Sequence, residues 1–141
     1  AVAMAGPEQR AEIEMQRLDT ELAALDFSTQ YLEKVIVDIS GVMQHYTKPQ
    51  SLQRGVLLFE RAKLYKKKGD YLQAMLDVRA ARSLFAGVPS LLAYTYVREA
   101  AILEAQGDEA GAAKAYRQAR EQDPSTYIPY HYRPLIGGAL H

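Results

Sequence analysis

The feature that most constrains this chain is an internal repeat within residues 54–125. The segment LLFERAKLYKKKGDYLQAMLDVRAARSLF is followed by AYTYVREAAILEAQGDEAGAAKAYRQAREQDP. With Gly69 set on Gly107, Ala62 falls on Ala100, Ala74 on Ala112 and Ala81 on Ala119. Each segment reads as helix, tight Gly-Asp turn, helix. Small side chains at these places let two helix backbones approach closely, and larger ones would force them apart at a cost of roughly 1–3 kcal/mol. Gly69 and Gly107 suit the left-handed position that ends a helix. Asp70 and Asp108 follow as caps for the next helix, with Gln73 completing a capping-box variant at Asp70. Pro124 marks where the last helix stops.

These residues resemble the tetratricopeptide repeat family. Its pattern places a bulky residue at position 4, small residues at 8, 20 and 27, Gly at 15 and Pro at 32. The second segment fits with Tyr96, Ala100, Gly107, Ala112, Tyr116, Ala119 and Pro124. The first fits with Leu58, Ala62, Tyr65, Gly69, Tyr71, Ala74 and Ala81, but its proline comes late, as Pro89. The units are 38 residues apart, against the usual ~34, which implies a longer second helix or a loop around Ala86-Gly87-Val88. The resemblance covers about half of the chain. It implies an all-α fold of antiparallel helix-turn-helix repeats in a TPR-like superhelix, with N-terminal packing helices. It also implies a concave groove lined by the first helix of each unit. On this chain the groove positions are Val56, Phe59, Lys63, Lys66 and Lys67, then Tyr94, Val97, Ala101, Glu104 and Ala105, with Arg98 at the rim. The candidate partner-binding set is Phe59, Lys63, Lys66, Lys67, Tyr94, Val97 and Arg98. The alternative for Phe59 and Tyr94 is burial under the chain's own helices. Co-chaperone members of the family grip a C-terminal carboxylate with paired asparagines and lysines, and this sequence contains no asparagine.

Charge is zero in total but unevenly placed. Residues 1–47 carry eight acids and three bases, residues 48–82 nine bases and three acids, and residues 83–141 six acids and five bases. The acidic first stretch and the basic second are expected to attract each other, and a neutral total weakens any case for nucleic-acid binding. Residues 8–46 hold an apolar seam at Ala11, Met15, Leu18, Leu22, Leu25, Thr29, Leu32, Ile36, Ile39, Met43 and Tyr46. Spacings of four and three mark the buried stripe of packed helices. The acids along its first half disfavour parallel self-pairing, so the basic stretch is the better mate. Two helices broken at Asp26-Phe27-Ser28-Thr29 are expected, with one long helix as the alternative because no Gly or Pro forces the break. Val35 and Val42 widen the stripe, and Gly41 suggests close approach to a neighbour. Thr47-Lys48-Pro49-Gln50 reads as the next helix start. The domain reading is an acidic helical segment over 8–47, two repeats over 48–125 and a Tyr/Pro-rich tail over 126–141. Pro129 and Pro134 oppose a long helix in the tail, and residues 126–136 are expected to dock as an extended strap on a repeat surface of this chain or a neighbouring one, with a disordered end as the alternative.

Candidate chemistry is sparse. His45, His131 and His141 show no ligand spacing, and zero cysteines exclude thiol catalysis, Cys-based zinc sites and disulfides. No phosphate loop or nucleophile motif occurs. The expectation is therefore a non-enzyme with no catalytic residues, no metal and no cofactor. Lys66-Lys67-Lys68 reads either as a site for phosphate or an acidic peptide, or as a solvated run favouring a helix C-terminus. No apolar run approaches the ~20 residues of a membrane span, so a soluble domain is expected, cytoplasmic or periplasmic, with the compartment open. Two functions fit: an adaptor that binds a partner peptide or helix bearing acidic and apolar residues, or an architectural module that self-associates or joins a larger complex.

Overall fold

Helix formers dominate the sequence, and the helices begin and end where the backbone chemistry demands. The computed structural model describes residues 6–23, 29–49 and 51–140. The chain is all-α: α1 (Pro7–Ala23), α2 (Thr29–Met43), α3 (Leu52–Lys68), α4 (Tyr71–Leu84), α5 (Pro89–Ala105), α6 (Glu109–Gln122) and a terminal 3-10 helix (Tyr130–Leu140). There is no strand among the described residues. The expected break between α1 and α2 falls on residues 24–28, outside the described set. The helices divide into two compact units, Ala1–Phe85 and Ala86–His141.

In the first unit α3 is the central element. It ends at Gly69, whose φ of 88° is the left-handed value expected there. The Gly69 N–H donates to Lys66 O at 3.0 Å and the Asp70 N–H to Tyr65 O at 2.9 Å, closing the turn into α4. Ala62, Ala74 and Ala81 are all completely buried, as close helix approach requires. Leu32 and Ile36 of α2 pack with Leu64 of α3, flanked by Val35, Ile39 and Tyr65. A polar clamp ties three helices together. The Arg61 guanidinium donates twice to the Asp77 carboxylate, 2.7 Å for each bond, and once to Ser40 Oγ at 3.0 Å. Ser40 Oγ in turn donates to Ile36 O. The bidentate pair holds Arg61 further on its protonated side, the Asp77 hydrogen bonds outweighing the cost of burial.

Several local expectations are corrected. The helix start lies at Ser51, not at Thr47–Gln50: Ser51 Oγ accepts from the Arg54 N–H at 3.1 Å. Arg54 also donates to Met43 O at 2.9 Å, so one side chain closes α2 and fixes the entry of α3. Asp70 makes no side-chain cap, whereas Asp108 accepts from the Gly111 N–H at 2.9 Å. Gly41 meets nothing within 4 Å of where its Cβ would sit, and Val42 is exposed, so the α2 stripe is narrower than the pattern suggested. The close approach occurs at Gly55 instead, where a Cβ would collide with the Phe85 ring.

In the second unit α5 and α6 meet through Gly107, with φ 80°. The extra residues in the repeat spacing lie in the turn at Gly87, φ 85°, ahead of Pro89 at the start of α5. Ala100, Ala112, Ala113, Ala115 and Tyr116 form a core with Ile128, Tyr132 and Ile136 of the tail. The tail docks, but as a 3-10 helix and not as an extended strap. Ile128 precedes the helix and Tyr132 and Ile136 lie within it, and a 3-10 turn admits the prolines: Pro129 O accepts from the Tyr132 N–H at 3.0 Å. Arginines fasten it, with Arg117 donating to Leu135 O at 3.0 Å, Arg120 to Thr126 O at 2.8 Å and Arg133 to Ile128 O at 3.2 Å.

Candidate partner-binding face

The seven residues singled out from the repeat pattern divide between the units. Phe59, Lys63, Lys66 and Lys67 lie on α3, and Tyr94, Val97 and Arg98 on α5. On α3 helical spacing sets Phe59, Lys63 and Lys66 or Lys67 along one side. Phe59 is 2% exposed and Lys63 is buried, Lys66 is half-buried and Lys67 exposed. On α5 all three are half-buried, and Val97 packs against the core of the second unit.

The environment of Lys63 is the most developed polar feature of α3. Its ammonium lies 2.8 Å from Glu60, one turn back and completely buried, and 5.7 Å from the centroid of the Phe59 ring. It also pairs with Asp19 of α1. A buried lysine needs such company, because an ammonium removed from water without a partner would lose its charge. One turn beyond, Lys68 of α3 reaches Glu33 of α2 at 3.6 Å. The acidic N-terminal helices therefore meet the basic helix face to face, as the charge split implied.

α1 docks on this side of α3 through one stripe. Ala11, Met15 and Asp19 are spaced by four, so they share a helix face. Ala11 and Met15 are 2% and 0% exposed, while Ile13, off the stripe, is 41% exposed. Part of the side of α3 that carries Lys63 is thus covered by the chain's own helix. The Asp19–Lys63–Glu60 cluster escaped the sequence reading. Its only local signal was the Glu60/Lys63 pair three apart, which is common on solvated helices.

Two clefts of about 830 and 440 Å³ share Tyr46 and Gln53. The first is lined also by His45, Thr47, Lys48, Pro49 and Ser51, the second by Arg10, Ile13, Glu14 and Arg17. Among the described residues no group of three or more His, Asp or Glu side chains is arranged to hold a metal, and no helix is long and apolar enough to cross a membrane. Comparison of the chain with protein-family models, curated proteins and solved structures returned no match.

Proposed function

We propose that this chain is a non-enzymatic, tetratricopeptide-like protein-interaction module that receives a peptide or helix with acidic and apolar residues on its basic repeat helix α3. The observation that carries the reading is the α3 face itself, which already holds an acidic amphipathic helix through Met15 and the Asp19–Lys63 pair. Helix-in-groove recognition uses this combination of apolar anchors and a charge that sets register. Lys66 and Lys67 continue the basic run about one turn on from Lys63, and Lys67 is exposed. The test is site-specific. A partner recovered by photo-cross-linking from position 67 should bind the purified chain, and Lys66→Glu with Lys67→Glu should weaken it at least ~10-fold and flatten its salt dependence. Undiminished affinity of such a partner for the reversed chain removes the proposal.

The architectural reading has one observation of its own. Leu72 and Leu76, one turn apart on α4, are 70% and 50% exposed, an apolar pair of the kind that self-association covers. Solution mass over a range of concentrations separates the two, since a concentration-dependent oligomer lost in Leu72→Gln/Leu76→Gln supports assembly.

A further inference from the structure

We infer that α1 is a displaceable internal occupant of the α3 face, holding the place of a partner helix that carries a small residue, a methionine-sized residue and a carboxylate at successive four-residue steps. The inference rests on the interaction-module reading and names the chemistry of its ligand.

Three observations carry it. First, over residues 7–20 of α1 the buried side chains are those of Ala11 and Met15 alone. Second, the receiving site is built into α3 and does not depend on α1. Lys63 is positioned by Glu60 of its own helix at 2.8 Å, so withdrawal of Asp19 leaves no orphaned buried ammonium. An ion pair whose loss strands a buried charge locks an element in place, but here that penalty is absent. Third, the charge is complementary over a wider area than one contact. Residues 48–82 carry nine bases against three acids, and Lys66 and Lys67 continue the basic surface past Lys63. An acidic helix is drawn to this surface whichever chain supplies it. α1 competes by being tethered, which raises its effective concentration without any added contact. A partner with more apolar contact on the same stripe exchanges with it.

The experiment uses the full chain and a fluorescent peptide of residues 7–23. Asp19→Lys and, separately, Met15→Asp weaken the internal helix while leaving α3 unchanged. Each chain is expected to bind the peptide at least ~10-fold tighter than the unaltered chain does, because an internal competitor lowers apparent affinity by the fraction of sites it leaves open. A peptide with lysine in place of Asp19 should not bind. Hydrogen exchange on the unaltered chain should show α1 amides exchanging much faster than those of α3. Equal peptide affinity for all three chains, or α1 protection matching that of α3, overturns the inference. So does unfolding of both variants by circular dichroism, which would make α1 an integral part of the core. A concentration-dependent dimer dissolved by the peptide would make the occupant a second copy's α1 and overturn the partner reading. Failure here is distinguishable from failure of the proposed function, since position 67 is exposed with α1 in place and its cross-linking test does not require α1 to move.

Discussion

Two glycines in the first unit have opposite meanings that only their surroundings reveal. Gly41 lies in α2 with open space beyond its Cα, so its missing side chain serves no packing role. Gly55 lies in α3 beneath the fully buried Phe85 ring, which occupies the position of its absent Cβ. A Gly-to-Ala change in a helix gains up to ~1 kcal/mol of propensity, and overpacking a core costs ~1–3 kcal/mol. Gly41→Ala should therefore raise stability by up to ~1 kcal/mol, while Gly55→Ala should lower it by ~1–2 kcal/mol, once propensity is set against the collision with Phe85. Denaturant titration of the two variants checks the pair, and a stabilising Gly55→Ala would show that the ring yields freely.

The terminal 3-10 helix illustrates how one element completes another. A helical hairpin leaves an apolar face that needs a neighbour, and in the second unit Ile128, Tyr132 and Ile136 supply it against Tyr116 and the α6 alanines. The Tyr116 and Tyr132 rings lie 4.9 Å apart, tilted by 47°. Burial pushes the Tyr132 phenol up to about 12, and the Glu104 carboxylate that faces it acts in the same direction. The hydroxyl nevertheless lacks a well-aligned hydrogen bond inside. An unfolded tyrosine ionises near ~10, so the folded state favours the neutral phenol. That contribution is complete below ~10 and disappears as pH rises through the folded value of about 12. Tyr132→Phe should consequently flatten the loss of second-unit stability between pH ~10 and 12. Melting curves followed by circular dichroism across that range measure it, and an unchanged slope would exclude Tyr132 as the titrating group. Tyr127 and Tyr130 stay outside, both highly exposed, with the Arg133 guanidinium 5.8 and 5.6 Å from their ring centroids.

At the scale of the molecule, the acidic N-terminal segment and the basic repeat helix belong to one unit. Asp19–Lys63 and Glu33–Lys68 join them, and Leu32 and Ile36 share a core with Leu64. The apolar contacts outweigh the exposed Glu33–Lys68 pair, since an exposed ion pair adds at most ~1 kcal/mol, whereas a buried leucine or isoleucine contributes ~1.5–3 kcal/mol. Deleting residues 8–46 should expose the Leu64 side of α3, leave the Arg61–Asp77 pair without Ser40 and sharply lower the melting temperature. Binding of a hydrophobic dye should rise in parallel. A deletion variant as stable as the full chain would show that the repeats stand alone.

What the sequence determined by itself was local and periodic. Matching alanines at Gly69 and Gly107 specified two helical hairpins, because close helix contact admits only small side chains and a left-handed turn favours glycine. The charge split specified which segments attract. Tertiary structure decided the rest. Ser51 rather than Thr47 starts α3, since Arg54 reaches back to Met43 and fixes that register. Gly55 rather than Gly41 marks the tight contact, because a ring thirty residues away in sequence fills the space. The prolines of the tail permit a 3-10 helix because Ile128, Tyr132 and Ile136 find an apolar face to cover. The repeat resemblance implies a groove position for Lys63, and only the fold shows it buried between Glu60 and Asp19. A sequence records which contacts a residue type favours, but the partner across a helix interface is set by three-dimensional packing that no local spacing encodes.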